Sequence, residues 1–155
     1  MKTLMLDPHG DDVALFGAFT AIRENATVHV VNPTVPVEEI NAAYRALGLG
    51  LSIGKVLPSG FDRVIPPAWQ QEGHHEHNTV AELAYATWPA TPPLSGYLTY
   101  APRGRRSREG AEVKPEADWI ARKLAALACF RSQIAQDSTR PWFFELLDLR
   151  EYVTA

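Results

Sequence analysis

The sequence predicts an α/β fold built on a mostly parallel sheet, and three observations carry that prediction. Short apolar runs alternate with longer segments of helical composition, which is the pattern of strands joined by covering helices. The first two runs stop at turn signals, Asp7-Pro8 and Asn32-Pro33,. A cluster of chemistry-bearing residues follows the first run directly, and open α/β sheets place their ligands outside the carboxyl ends of their strands.

Taken in order, Thr3–Leu6 is an apolar strand,. Val13–Glu24 has helical composition, with Leu15, Phe16, Phe19 and Ile22 as its apolar face,. Thr27–Val31 is a second strand. Val37–Leu47 is a helix that Gly48 stops,. Lys55–Leu57 is a weak third strand, and Pro58-Ser59-Gly60 turns out of it,. Thr79–Thr87, rich in Ala, Leu and Val, is a further helix. Pro89–Pro115 reads as a long, mobile loop with a strand at Tyr97–Ala101,. Ala117–Gln136 is the longest helix, and Phe143–Val153 fits helix or strand equally. No internal repeat is visible, and residues 1–155 read as a single domain.

Bulk properties narrow the function classes. The chain has 155 residues, 46% hydrophobic and 21% charged, enough for one globular core,. A net charge of −3 gives no global field that recruits nucleic acid or an acidic membrane surface,. No apolar run is long enough to span a bilayer. One cysteine, Cys129, rules out an internal disulfide framework and fits a reducing compartment,. The N-terminus runs straight into the first motif, which a cleaved signal peptide would remove. The chain therefore reads as cytoplasmic, and its composition is compatible with a homo-oligomer.

Two segments carry the chemistry. Pro8-His9-Gly10-Asp11-Asp12 holds one imidazole and two carboxylates within four positions. On a tight turn into a helix, His9 and Asp12 converge on one ion, and Gly10 lets the backbone turn without crowding. Asp11 then points elsewhere and is free to handle the proton of an attacking water. His74-His75-Glu76-His77 places two imidazoles three residues apart, facing one cleft. A catalytic zinc takes three N/O ligands and keeps one position open to water. His9, Asp12 and His77 fill that set, leaving Asp11 and His74 for proton and oxyanion work. Each segment alone also fits a plainer reading, an Asp-rich helix cap or a surface histidine loop.

Together the segments resemble the LmbE-like or PIG-L-like zinc-dependent de-N-acetylases. The first signature of that family is similar to Pro8-His9-Gly10-Asp11-Asp12 with Gly17 after the first helical turn. The second, His-x-x-His with a carboxylate before the last His, is similar to His74-His75-Glu76-His77. A weaker third runs from Lys123 to Ser132-Gln133. The resemblance implies a Rossmann-like three-layer fold with the metal site at the carboxyl ends of the strands. It implies His9, Asp12 and His77 as zinc ligands, Asp11 as general base, and His74 as oxyanion stabiliser or proton-transfer aid. The implied reaction removes an N-acyl group, typically acetyl, from an amino sugar or related polar small molecule. Zinc is the implied metal, and ferrous iron, cobalt or manganese also suit two imidazoles and one carboxylate.

The chain departs from the family at its recognition turns. A Thr-Asp-Gly-like turn is replaced by Asn32-Pro33-Thr34, and Pro36 stands near the slot of an Arg that precedes Glu39. A Pro-Asp-Gly turn becomes Pro58-Ser59-Gly60, with Asp62 two residues late. Such polar groups supply most discrimination between substrates, so these changes bear on which sugar is bound. Asp7 stands where the family has a small residue, and fits either a support behind the site or simply the end of the strand. The chain is also shorter than the family's usual length.

Other features fit plainer roles. His29 lies in a strand and reads as a core or edge residue. Arg103, Arg105, Arg106 and Arg108 read as a solvated basic loop, against a phosphate or nucleic-acid grip,. Trp69, Trp88 and Tyr97 default to packing, against stacking on a sugar. Ser132-Gln133 is expected to cap or brace its helix. Two readings compete with the hydrolase: a non-catalytic metal- and ligand-binding module, and a modifier of a nucleic-acid-linked substrate. The acidic pI of 5.9 disfavours the last.

Overall fold

The first strand, β1 (Thr3–Asp7), is buried along its whole length, as a central strand covered on both faces must be. In this computed structural model the structure describes residues 1–68, 74–88, 96–101, 105–106, 110–143 and 149–154. Strands β2 (Thr27–Val30), β3 (Gly50–Ile53) and β4 (Arg63–Ile65) join β1 in a four-stranded sheet of order β3-β2-β1-β4. All three pairings are parallel, with Met5 opposite Val28 and Ile65.

Alternation along β1 splits the core in two. Met5 belongs to the larger cluster, with residues of α1 (Asp12–Phe16), α2 (Ala18–Arg23), α3 (Val37–Leu47) and α5 (Ala117–Leu127). Leu4 and Leu6 point the other way and pack with Val64, and with Val80 and Ala84 of α4 (His75–Thr87). Successive strand residues face opposite sides, so the sheet is the middle of three layers. The mostly parallel α/β architecture read from the sequence is the one observed.

Several elements differ from the sequence reading, each for a local reason. The helix expected over Val13–Glu24 breaks at Gly17 into α1 and α2. A Cβ on Gly17 would stand 2.9 Å from Met5 Cε and 3.2 Å from Tyr97 Cγ, so a side chain there would have to push both neighbours aside. The third strand is Gly50–Ile53 and not Lys55–Leu57, which forms no strand. Gly48 closes α3 in the left-handed region at φ 70°, which turns the chain straight into β3. Strand β4 had no counterpart in the sequence reading. Helix α4 begins four residues earlier than expected, inside the His cluster.

The helix expected over Ala117–Gln136 also breaks. It ends at Leu127, and α6 (Arg131–Ile134) restarts beyond Phe130, whose ring is buried against that of Phe143. Short α7 (Arg140–Phe143) follows. Of Phe143–Val153, the end is strand β8 (Glu151–Val153), paired antiparallel with β7 (Ala111–Val113); residues 144–148 lie outside the described ones. Within Pro89–Pro115, residues 96–99 are buried, and β5 (Tyr100–Ala101) pairs with β6 (Arg105–Arg106). Those described residues are ordered into the fold and not a structureless loop. Residues 89–95, 102–104 and 107–109, including Arg103 and Arg108, lie outside the described ones, as does Trp69. No helix among the described residues is long and apolar enough to cross a membrane.

Candidate metal centre

The sheet order sets where a site can form. From β1 the chain steps outward through β2 and β3, then returns to the other side of β1 as β4. The switch point lies between the carboxyl ends of β1 and β4, and a crevice opens there in sheets of this kind. The turn after β1 carries His9, Asp11 and Asp12. The segment after β4 leads to α4, which carries His77, with His74 as its N-cap residue.

Asp7 shapes the turn. Its buried carboxylate accepts the backbone N–H groups of His9 at 3.0 Å, Gly10 at 2.6 Å and Val13 at 3.2 Å, and the hydroxyl of Tyr44. Burial and the Asp12 charge push its pKa up to about 6, against the pull of the Tyr44 hydroxyl and the Gly10 and Val13 N–H groups. Gly10 sits at φ 114°, where a Cβ would fall 2.5 Å from Ile40 Cδ1. Only glycine combines that backbone with that clearance.

The turn and α4 converge. His9 Nδ1 lies 2.8 Å from Asp12 Oδ2, and His77 Nε2 lies 3.1 Å from Asp12 Oδ1. One donor atom from each of His9, Asp12 and His77 lies within 4.8 Å of the others. Two ligands about 2 Å from a tetrahedral zinc stand roughly 3.3 Å apart, so the donor set and its spacing fit a divalent transition metal. His77 Nδ1 meets Thr99 Oγ1 at 3.1 Å, which leaves Nε2 for the centre. His9 Nε2 meets Glu76 Oε2 at 2.7 Å. Partners of this sort orient metal-ligating imidazoles.

The electrostatics follow from the packing. Asp12 is almost completely buried, which opposes its charge, yet the His77 and His9 imidazoles hold it well below the usual carboxylate range. Burial works against protonation of His9, but Asp12 and Glu76 outweigh it and push its pKa up to about 9. Burial, then the Asp12 and Asp7 charges, raise Asp11 well above an ordinary carboxylate. Burial and the neighbouring His77 lower His74, whose ring stacks on that of His77 at 4.6 Å.

All five residues singled out from the sequence, His9, Asp11, Asp12, His74 and His77, line one cavity of about 230 Å³. Thr34, Glu76 and Gln133 complete its lining. Ser132 braces α6 as expected, through Glu39. Gln133, beside it, also lines the cavity. Ser59 is exposed and away from the lining, and Asp62 instead accepts the N–H of Lys2 at 2.7 Å. Tyr97 is packed in the core with its hydroxyl on the Leu6 carbonyl at 2.9 Å, and Trp88 packs beside Leu4 and Leu6. His29 is buried, with Nδ1 2.8 Å from Ser52 Oγ. Thr99 and Glu76 gained no role from the residues alone, and Asp7 only that of supporting the site from behind or ending its strand. A carboxylate directly before Pro-His-Gly was the available signal for Asp7; Thr99 offered none.

No protein-family model matches the chain, and no curated protein matches it. Solved structures do. GalB, the 4-carboxy-2-hydroxymuconate hydratase from Pseudomonas putida KT2440, is similar with a TM-score of 0.64 at 14% identity, covering 94% of this chain and 84% of that one. A triple mutant of a deacetylase involved in teicoplanin biosynthesis is similar at 0.60 and 13%, covering 92% and 88%. The zinc-inhibited form of teicoplanin deacetylase Orf2 is similar at 0.59 and 13%, covering 96% and 91%. The α/β fold implied by the resemblance to the LmbE-like proteins is the fold that this chain shares with GalB and the teicoplanin deacetylase.

Proposed function

We propose that the chain is a single metal-dependent hydrolase domain that removes an N-acyl group, in the first instance acetyl, from an amino sugar or a related polar amine. One observation carries the reading: a His-Asp-His donor set shares a cavity with a second carboxylate and a second imidazole. The fold is also that of a teicoplanin deacetylase, and it equally serves the hydratase GalB, so the choice of hydrolysis rests on the side chains.

His9, Asp12 and His77 would hold the ion, zinc in this reading. When bound it supplies a Lewis acid and brings the pKa of a coordinated water towards neutrality. Asp11, raised by burial and by its acidic neighbours, takes the proton of the attacking water,. The water oxygen bonds to the amide carbon, and His74 at the cavity wall donates to the developing oxyanion. Asp11 then returns its proton to the nitrogen as the C–N bond breaks, leaving a free amine and a carboxylic acid that loses its own proton to solvent.

The test is amine release from a panel of N-acetyl amino sugars by zinc-reconstituted protein, beside Asp11→Asn. The reading expects metal-dependent release, and loss of roughly a hundredfold or more in the variant with zinc still bound one per chain. Equal release by Asp11→Asn would overturn the base assignment. Zinc binding without release from any N-acyl substrate would favour the binding module.

A further inference from the structure

The arginine-rich run reads as a solvated loop when taken as sequence, and the fold gives it a definite root. Tyr97 pairs in parallel with Pro67, just beyond β4, and antiparallel with Val153 of β8. Its N–H donates to the Pro66 carbonyl at 3.1 Å, and its carbonyl accepts the Ala68 N–H at 2.9 Å. Residues 96–99 therefore run in the direction of β1 and β4. The chain leaves Thr99 on the carboxyl-end side of the sheet, where the metal centre lies. Thr99 supports that centre: it is fully buried, and its hydroxyl meets His77 Nδ1 at 3.1 Å. The next residue, Tyr100, opens β5; Arg106 of β6 stands opposite it, and Arg105 stands opposite Ala101. One step along the chain is about 3.8 Å and a cross-strand pair about 5 Å, so the Arg106 backbone stands within about 9 Å of that of Thr99. Arg105 and Arg106 are consecutive, and successive residues of a strand belong to opposite faces. Each face of the hairpin thus carries an arginine.

We propose that this hairpin binds a phosphate group carried by the molecule whose acyl amide enters the cavity, an inference that rests on the hydrolase reading. Four of the chain's 15 Lys and Arg residues fall in the six positions from Arg103 to Arg108, and no acidic residue stands between Tyr97 and Arg108. In a chain of net charge −3 that is a local concentration of one sign. A guanidinium matches phosphate oxygens in pairs and keeps its charge at any physiological pH. A phosphate monoester brings a charge of about −1.5 to −2 and three acceptor oxygens, so it can engage more than one arginine at once. The short distance from the hairpin to Thr99 lets one small molecule span both places, its amide at the metal centre and its phosphate at β5–β6.

The test uses the zinc-loaded full chain and two acetamides that differ only in the phosphate, N-acetylethanolamine and N-acetylethanolamine phosphate. Affinities come from calorimetry and zinc content from metal analysis, with amine release followed in parallel. The phosphate form should bind about tenfold more tightly or better, the scale of a charge-assisted contact. That advantage should shrink as salt rises from about 0.05 to about 0.5 M. Arg105→Gln and Arg106→Gln together should abolish it, with zinc content and binding of the neutral form unchanged. The single variants serve if the double one fails to fold. No advantage in the parent chain would overturn the inference. An advantage that survives in the folded variants would overturn it too, because the phosphate would then sit on the ion. Binding of single-stranded DNA that the variants lose, with no advantage between the acetamides, would give the hairpin to nucleic acid instead. An advantage lost in the variants without amine release from any N-acyl substrate would sink the hydrolase reading and leave the phosphate contact standing.

Discussion

Lys123 and Glu151 form an ion pair with no solvent exposure on either side chain, and breaking it should cost the fold dearly. The ammonium of Lys123 lies 2.6 Å from Glu151 Oε1 and 2.8 Å from the Leu15 carbonyl, and stands 4.8 Å from the centre of the Phe19 ring. The other oxygen of Glu151 accepts the Phe19 N–H at 2.8 Å. The pair thus spans the break at Gly17, holding the end of α1 to the start of α2. Lys123→Met leaves a buried carboxylate without its ammonium and takes one donor from the Leu15 carbonyl. Removing one partner of such a pair costs about 3–5 kcal/mol, a large part of a total of about 5–15 kcal/mol. For a chain of this size that is roughly a 6–20 °C fall in melting temperature. Urea unfolding of Lys123→Met, Glu151→Leu and the double variant measures it. The double variant should lose at least about 2 kcal/mol less than the sum of the singles, because neither then leaves a charge behind. Single losses below about 1 kcal/mol, or a strictly additive double, would refute the argument.

Two further predictions concern the turn and the sheet. Asp7→Asn replaces an acceptor of four hydrogen bonds by one with a single oxygen. Stability should fall by about 1–3 kcal/mol and zinc affinity by about tenfold or more, read by unfolding and by competition with a chelator; unchanged zinc affinity would mean that the turn holds its shape without Asp7. Burial lowers the pKa of His29 below its ordinary 6.5, so on acidification the unfolded chain takes up the proton first. The contribution of His29 should be complete above about pH 6.5 and fall away as pH drops through its folded value. His29→Gln should lose that part of the slope in unfolding free energy between pH 7.5 and 5, and an unchanged slope would count against it.

Much of the fold was legible where periodicity is strong. Thr3–Leu6, Thr27–Val31 and Val37–Leu47 stand within a residue of the observed elements, because apolar runs and helix stops act locally. The misplacements came from contacts between distant parts of the chain. Nothing near Gly17 says that Met5 and Tyr97 crowd it. Gly50–Ile53 falls to no element in the sequence reading, yet parallel pairing with Thr27–Val30 makes it a strand. Three residues of β4 are too few to announce themselves, and their strand character comes from pairing with β1.

The candidate centre was legible for a different reason. Metal chemistry admits few residue types, so imidazoles and carboxylates at tight spacing stand out even when 67 positions separate His9 from Glu76. The residues that hold them in place use ordinary chemistry and do not stand out. Thr99 steadies His77 from the short strand expected at Tyr97–Ala101, and Asp7 fixes the turn from inside a strand. Gln133 is the instructive intermediate. Its neighbour Ser132 was expected to brace the helix and does so through Glu39, and that brace is what frees the next side chain for the cavity. Position in the fold separates the two: Ser132 spends its backbone N–H and its hydroxyl on Glu39, and the next side chain lines the cavity beside the candidate ligands.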